Sequence, residues 1–276
     1  MDTGGEEMNT PNSTLERPVE PVPGRWSTNE SIVTYHDYAE IDPEAQDQAI
    51  ACHSFIDACN GSMAYRLMEH LGTPCAGKVV LDAGAGTGQV TRVLQGFPGL
   101  KVEACDIDPL SARFFRSHPE LKYVPFILMD ILQDELPRRY HAIACRGVYH
   151  HIAKAKRPAF LKALCDHADI VIIADEGIQE YTSNHERLLN CDRWYGYVIG
   201  EARRRGLDRL AEIETRFLEH EKLNTANDGG DFKESPSHLI EDARAVDLEL
   251  SSLDRIGPWQ EAGGGFYTAT FVSKRT

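Results

Sequence analysis

No stretch of the 276 residues approaches the roughly 20 consecutive apolar side chains that a membrane-spanning helix needs, so no membrane partner is expected. Positive charge is scarce as well. Lys and Arg total 29 against 43 Asp and Glu, for a formal charge of −14. Such a surface repels phosphate backbones, and nucleic acid is not an expected partner. The one basic cluster, Arg203-Arg204-Arg205, reads as a solvated helix end. Cysteine pairs are missing too. The seven cysteines are odd in number, contain no C-x-x-C and sit partly in apolar runs such as "AIACRG". They read as reduced structural thiols of a cytoplasmic protein. The N-terminus lacks the basic start and apolar segment of a signal peptide. Residues 1–30, acidic and rich in Pro, Gly, Ser and Thr, read as a disordered tail. No internal repeat is visible.

What is present begins with a helical lid over residues 31–75. Ile50, Phe55, Ile56, Met63, Leu67 and Leu71 recur at helical spacing over one or two helices, with Gly61 a candidate break and Gly72 the close. From residue 76 to 276 a strand-helix rhythm takes over. "KVVLDAG", "KVEACDID", "KYVPFILMD", "YHAIACRG" and "DIVIIADEG" read as near-continuous apolar strands, separated by helices such as "PLSARFFRSH" and "RPAFLKALCDHA". That pattern means a doubly wound, mostly parallel sheet buried on both faces. Residues 181–246 form a helical insertion after strand five, with two helices around Gly206 and a third opened by Ser235 as N-cap and Pro236. The chain ends in two alternating segments that suit an antiparallel hairpin on the sheet edge.

The turn after the first strand carries the chemistry. It reads "VVLDAGAGTGQ" over Val79–Gln89. A dinucleotide clamp needs G-x-G-x-x-G, but Gln89 occupies the third glycine position. The glycines instead fall at 84, 86 and 88, after Asp82 at the strand end. A carboxylate at Asp106, ending the second strand, can accept both hydroxyls of a ribose lying across the strand ends. Asp108 is better read as the cap of the next helix. The D-x-G-x-G-x-G string resembles motif I of the class I S-adenosylmethionine (SAM)-dependent methyltransferases. That resemblance spans residues 79–177 and implies a Rossmann-like α/β fold with SAM as cofactor. It places Asp82, Gly84, Ala85, Gly86 and Gly88 under the cofactor and assigns Asp106 to the ribose. It further sets Ile107 against adenine, Asp130 and Ile131 at the adenine amino group, and Arg146 near the amino-acid portion. One departure is His141, where the family commonly has an acid.

Candidate catalytic residues follow from position. Tyr149, His150 and His151 come directly after the fourth strand, and His150 is a candidate base, weighed against a packing and capping role. Tyr35 and Tyr38 in "TYHDYAEID" resemble tyrosines that close over the cofactor and can face the sulfonium. Trp194, Tyr195 and Tyr197 could line a pocket, though their helical spacing favours core. A metal site joining the two histidines with Asp175, Glu176 or His185 was weighed, but adjacent residues seldom share one ion, and no metal is expected. Three functions fit. The first is methyl transfer to a small metabolite by a monomer or homodimer, as the motif I resemblance implies. The pattern that includes "RWYGYVIGEARRRG" and "GGDFKES" is more weakly similar to bacterial natural-product enzymes of this fold, which implies secondary metabolism. The second comes from the azetidine-2-carboxylate synthases among them. There the SAM amino group closes a ring and releases methylthioadenosine. The third is non-catalytic SAM binding.

Overall fold

The computed structural model describes residues 47–48, 50–224 and 231–274. The expected tail and residues 31–46 and 49 of the lid, Tyr35 and Tyr38 among them, lie outside the described residues. Seven strands form one sheet: β1 (Val79–Ala83), β2 (Lys101–Asp106), β3 (Phe126–Leu128), β4 (Ala142–Arg146), β5 (Ile170–Ile178), β6 (Leu248–Ile256) and β7 (Gly264–Ser273). Their order is β3-β2-β1-β4-β5-β7-β6. The first five are parallel, and β7 runs antiparallel to both β5 and β6. The C-terminal hairpin is therefore present, with β7 as the strand that joins the sheet and β6 outermost.

The helices are α1 (Ile56–Leu71), α2 (Gln89–Gln95), α3 (Pro109–Ser117), α4 (Arg157–His167), α5 (Asn184–Arg204), α6 (Asp208–Leu223), α7 (Pro236–Arg244) and α8 (Trp259–Ala262). Alternation along each strand sends side chains to opposite faces. Val80, Ala142, Ala144, Ile172 and Ala174 pack beneath α1, α5 and α6. Leu81, Ala83, Ile143, Cys145, Val171 and Ile173 pack against α4 and α7 on the other face. Both faces being covered accounts for the unbroken apolar character of β1, β4 and β5.

Three local expectations need correction. Gly61 does not break the first helix. It lies on the exposed side of α1, while Cys59, Met63 and Leu67 bury the opposite side and hold the helix through the glycine. The interruption falls earlier, at Phe55, whose φ of 68° is left-handed. Ser235 does not cap α7 through its hydroxyl; its Oγ pairs with His238 Nδ1 at 3.2 Å. His141 stands in for an acid as an acceptor, since its Nδ1 receives the Val79 N–H at 3.0 Å. Asp108 caps α3 as expected, accepting from the Leu110 N–H at 2.9 Å. No helix among the described residues is long and apolar enough to cross a membrane.

Candidate active site

Strand order reverses between β1 and β4, the place where open α/β sheets take ligands outside their strand ends. A cavity of about 300 Å³ opens there. Its outer half gathers most of the residues expected for the cofactor. Asp82, Gly84, Ala85, Gly86, Asp106, Ile107, Asp130, Ile131 and Arg146 all line it. Gly88 does not. It is the left-handed residue that starts α2, with Leu121 and Phe115 packed where its Cβ would stand.

The glycine turn is fixed from several sides. The Gly86 N–H donates to Asp106 Oδ2 at 2.7 Å, and the Asp108 N–H to Oδ1 at 2.9 Å, so Asp106 holds both the turn and its own strand end. Asp82 is buried and accepts from Thr91 Oγ at 2.6 Å. Burial pushes its carboxyl up to about 6, with the Thr91 bond and Arg146 opposing. Asp130 accepts from the Leu132 N–H and from Gln133 Nε2, which closes the loop after β3. Asp47 latches the N-terminal segment onto the turn by accepting from Thr87 Oγ and Arg92.

These residues fit SAM on two independent counts. Gly86 has φ 52° and nothing within 4 Å of where a Cβ would sit, so the turn leaves open space on the cavity side. Arg146 donates to Gln89 Oε1 at 3.2 Å, while its Nε is buried without a partner among the described residues. A carboxylate, such as that of the methionine moiety, satisfies such a donor.

The inner half is a polar chamber. His53, His150, His151, Glu176, Glu214, Asp231 and Lys233 line it, with Phe217 and Phe266. His150 sits in a buried clamp: Asp175 Oδ1 lies 2.5 Å from its Nδ1, and Asp175 Oδ2 accepts its backbone N–H at 3.0 Å. Burial disfavours charge on this imidazole, but Asp175 outweighs it and holds the group up at about 9. His150 is thus an occupied cation rather than a free base. His151, buried beside that cation, falls to about 4. Lys233 Nζ donates to Tyr195 Oη at 2.6 Å and pairs with Glu176 at 3.1 Å. Burial opposes its charge, yet Glu176 raises its pKa well above the usual lysine range. Glu214 is driven the other way. Burial first, and Glu176 beside it, push its carboxyl well up, so it carries a proton. His53 Nε2 lies between Glu176 and Glu214, at 3.4 and 3.6 Å.

One expectation fails here. Tyr149 turns away from the cavity. Its hydroxyl donates to Asp242 at 2.5 Å and Arg157 lies over its ring, so it packs against α7. Trp194 and Tyr195 are fully buried core, as their spacing favours, and each holds one of the chamber's charges, Glu176 and Lys233. Nor does the structure assemble the weighed metal set. His185 is exposed on α5, and Asp175 already serves His150.

Residues 80–169 match the family described as a methyltransferase domain. That stretch of the chain has the pattern of a methyltransferase domain, set in a Rossmann-like fold. S-adenosylmethionine is the cofactor that its cleft fits. Among solved structures, the DhpI–SAM–HEP complex aligns with a TM-score of 0.55 at 19% identity, over 89% of this chain and 99% of that one. Mitomycin 7-O-methyltransferase MmcR gives 0.53 at 13% identity, over 87% and 60%. The Burkholderia thailandensis 1,6-didemethyltoxoflavin-N1-methyltransferase, with 1,6-didemethyltoxoflavin and S-adenosylhomocysteine bound, gives 0.50 at 17%, over 86% and 89%. At these identities the likeness is one of fold. No curated protein matches the chain.

Proposed function

We propose that this methyltransferase moves the SAM methyl group to a small polar acceptor held in the inner chamber. The observation that carries this is the continuity of the cavity. It runs from the glycine turn past Asp82 and Arg146 to Glu214 and Phe217 on α6 and to Asp231 and Lys233, residues outside the strand-end segments expected to hold the cofactor. In-line transfer needs the acceptor aligned with the methyl group, and a walled chamber beside the sulfonium supplies that alignment. Its two phenyl rings suit a flat or apolar body, while protonated Glu214 offers a hydrogen bond and Asp231 accepts one. Proteins of similar fold include a mitomycin 7-O-methyltransferase and a 1,6-didemethyltoxoflavin-N1-methyltransferase, which supports a small-molecule acceptor and a place in secondary metabolism. Of the site residues, Asp106 holds the ribose, Ile107 and Ile131 flank adenine, Asp130 faces its amino group and Arg146 takes the carboxylate.

Ring closure within SAM calls for an enclosure that ends at the methionine moiety. A chamber that continues to α6 favours methyl transfer over that alternative. The test is incubation of the purified chain with SAM alone, then with a small-molecule extract, and identification of the nucleoside. S-adenosylhomocysteine formed only with extract is the expected result. Methylthioadenosine without an acceptor would establish the cyclase reading, and tight SAM binding with no turnover a non-catalytic one.

A further inference from the structure

We infer that His150, His151 and Asp231 form a binding site for one divalent transition-metal ion, of the zinc or cobalt class, on the inner wall of the cavity. The three ligand atoms all lie within 4.8 Å of one another. Asp231 Oδ1 stands 3.4 Å from His150 Nε2 and 3.7 Å from His151 Nδ1. Metal–ligand bonds of about 2.0–2.1 Å in a tetrahedron place donor atoms about 3.3 Å apart, so Asp231 Oδ1 needs to approach each imidazole by only a few tenths of an ångström.

The usual objection to adjacent histidines is that neighbouring side chains diverge. Here they sit in the short 3-10 turn Tyr149–His151, with ring centroids 3.9 Å apart and planes inclined at 44°. One ring offers Nε2 and the other Nδ1, and this difference lets both reach the same carboxylate. Asp175 completes the arrangement. It occupies His150 Nδ1 at 2.5 Å and leaves Nε2 toward Asp231, where an ion binds by displacing the Nε2 proton of the imidazolium. A carboxylate behind a ligating imidazole is the usual support of a metal-bound histidine.

Asp231 adds an independent sign. It is 2% exposed and its Oδ2 has no partner among the described residues. A buried, unmatched carboxylate oxygen is costly unless a cation satisfies it. The residue is also held in place: the Phe232 N–H donates to the His150 carbonyl at 3.2 Å, and Asn224 Nδ2 donates to the Asp231 carbonyl at 3.2 Å. Two imidazoles and one carboxylate suit zinc-class ions, whereas magnesium or calcium asks for more oxygen ligands. Three protein ligands leave a fourth position open to the cavity, where an acceptor heteroatom can bind. The site rests on ligand geometry alone; only the role of its open position depends on the methyl-transfer reading.

The test is titration of the full chain with Co²⁺ without SAM or acceptor, followed by visible absorption and then by Zn²⁺ competition. We expect one Co²⁺ per chain with the intense bands of a four-coordinate ion, bleached by Zn²⁺. Asp231→Asn and His151→Gln should each weaken binding at least tenfold, and Asp175→Asn by about ten- to hundredfold. SAM binding by each variant checks its fold, so one misfolded variant leaves the others to decide. No saturable band, or the same band and affinity in every folded variant, would overturn the site. Failure of the methyl-transfer reading shows separately, in the nucleoside formed from SAM, and leaves the Co²⁺ band untouched.

Discussion

Alanine at Gly86 and at Gly88 should fail in opposite ways. Both glycines are left-handed, with φ 52° and 75°, so an L side chain costs about 1–2 kcal/mol at either. Loss of unfolded-chain freedom offsets about 0.4–1 kcal/mol of that. At Gly86 nothing else is added, because the new methyl group points into open space. Gly86→Ala should therefore lose about 1 kcal/mol, a fall in Tm of about 2–4 °C. At Gly88 the methyl group meets Leu121 Cδ1 at 2.6 Å and Phe115 Cζ at 2.8 Å, both core atoms. Overpacking there adds about 1–3 kcal/mol, for a Tm fall of roughly 6–12 °C. Ligand binding reverses the order. On the proposed placement the open space beside Gly86 is where the turn lies against SAM, and Gly86 also donates to Asp106, the proposed ribose ligand. Gly86→Ala should lose at least tenfold in SAM affinity, or about 1.4 kcal/mol, by calorimetric titration. Folded Gly88→Ala should keep most of it. A Gly86→Ala variant that binds SAM within twofold of the native chain would refute the placement of the cofactor on this turn.

Asp106→Asn should weaken SAM binding about ten- to hundredfold, since a charged acceptor to the ribose hydroxyls becomes a neutral one; the same titration checks it. Glu214→Gln should raise stability increasingly with pH. The folded carboxyl is held above its ordinary value, so the native chain has the full benefit of its proton below about 4.5 and loses it as pH rises toward the folded pKa. Glutamine does not titrate, and the Tm difference between variant and native chain should grow above pH 4.5; a constant difference would contradict the protonated assignment. Glu221→Gln leaves the Arg187 guanidinium, fully buried and 2.6 Å from that carboxylate, without its counter-charge. It should cost about 3–5 kcal/mol in denaturant unfolding.

The sheet was legible because its signal is local. Runs such as "VVLDA" and "IVIIADEGI" are apolar at every position, a pattern that only burial on both faces explains. That Asp82, Gly84, Gly86, Asp106, Asp130 and Arg146 line one cavity was legible for the same reason, since each closes or follows a strand and the parallel order brings strand ends to one rim. Gly61 misled because propensity speaks for one residue. Cys59, Met63 and Leu67 jointly bury the other side of the helix and outweigh it.

The acceptor half was hidden by chain distance. His53 precedes the first strand, Glu214 lies on the second insertion helix, and Asp231 and Lys233 follow it; nothing in their spacing links them to His150. A period or a motif cannot show that the Phe232 N–H reaches the His150 carbonyl, yet that bond brings Asp231 to the histidine pair. One trace was readable in principle: "GGDFKE" places an acid and a lysine on either side of a phenylalanine, unusual for a loop that only connects helices. Buried as they are, Asp231 and Lys233 need partners, and they find them in His150 and Glu176. The inner wall is thus built from charges that the fold can bury only together. Removing any one of them disturbs the charge balance of the rest, so single substitutions there should be read through double-mutant cycles, with Glu176 and Lys233, 3.1 Å apart, as one such pair.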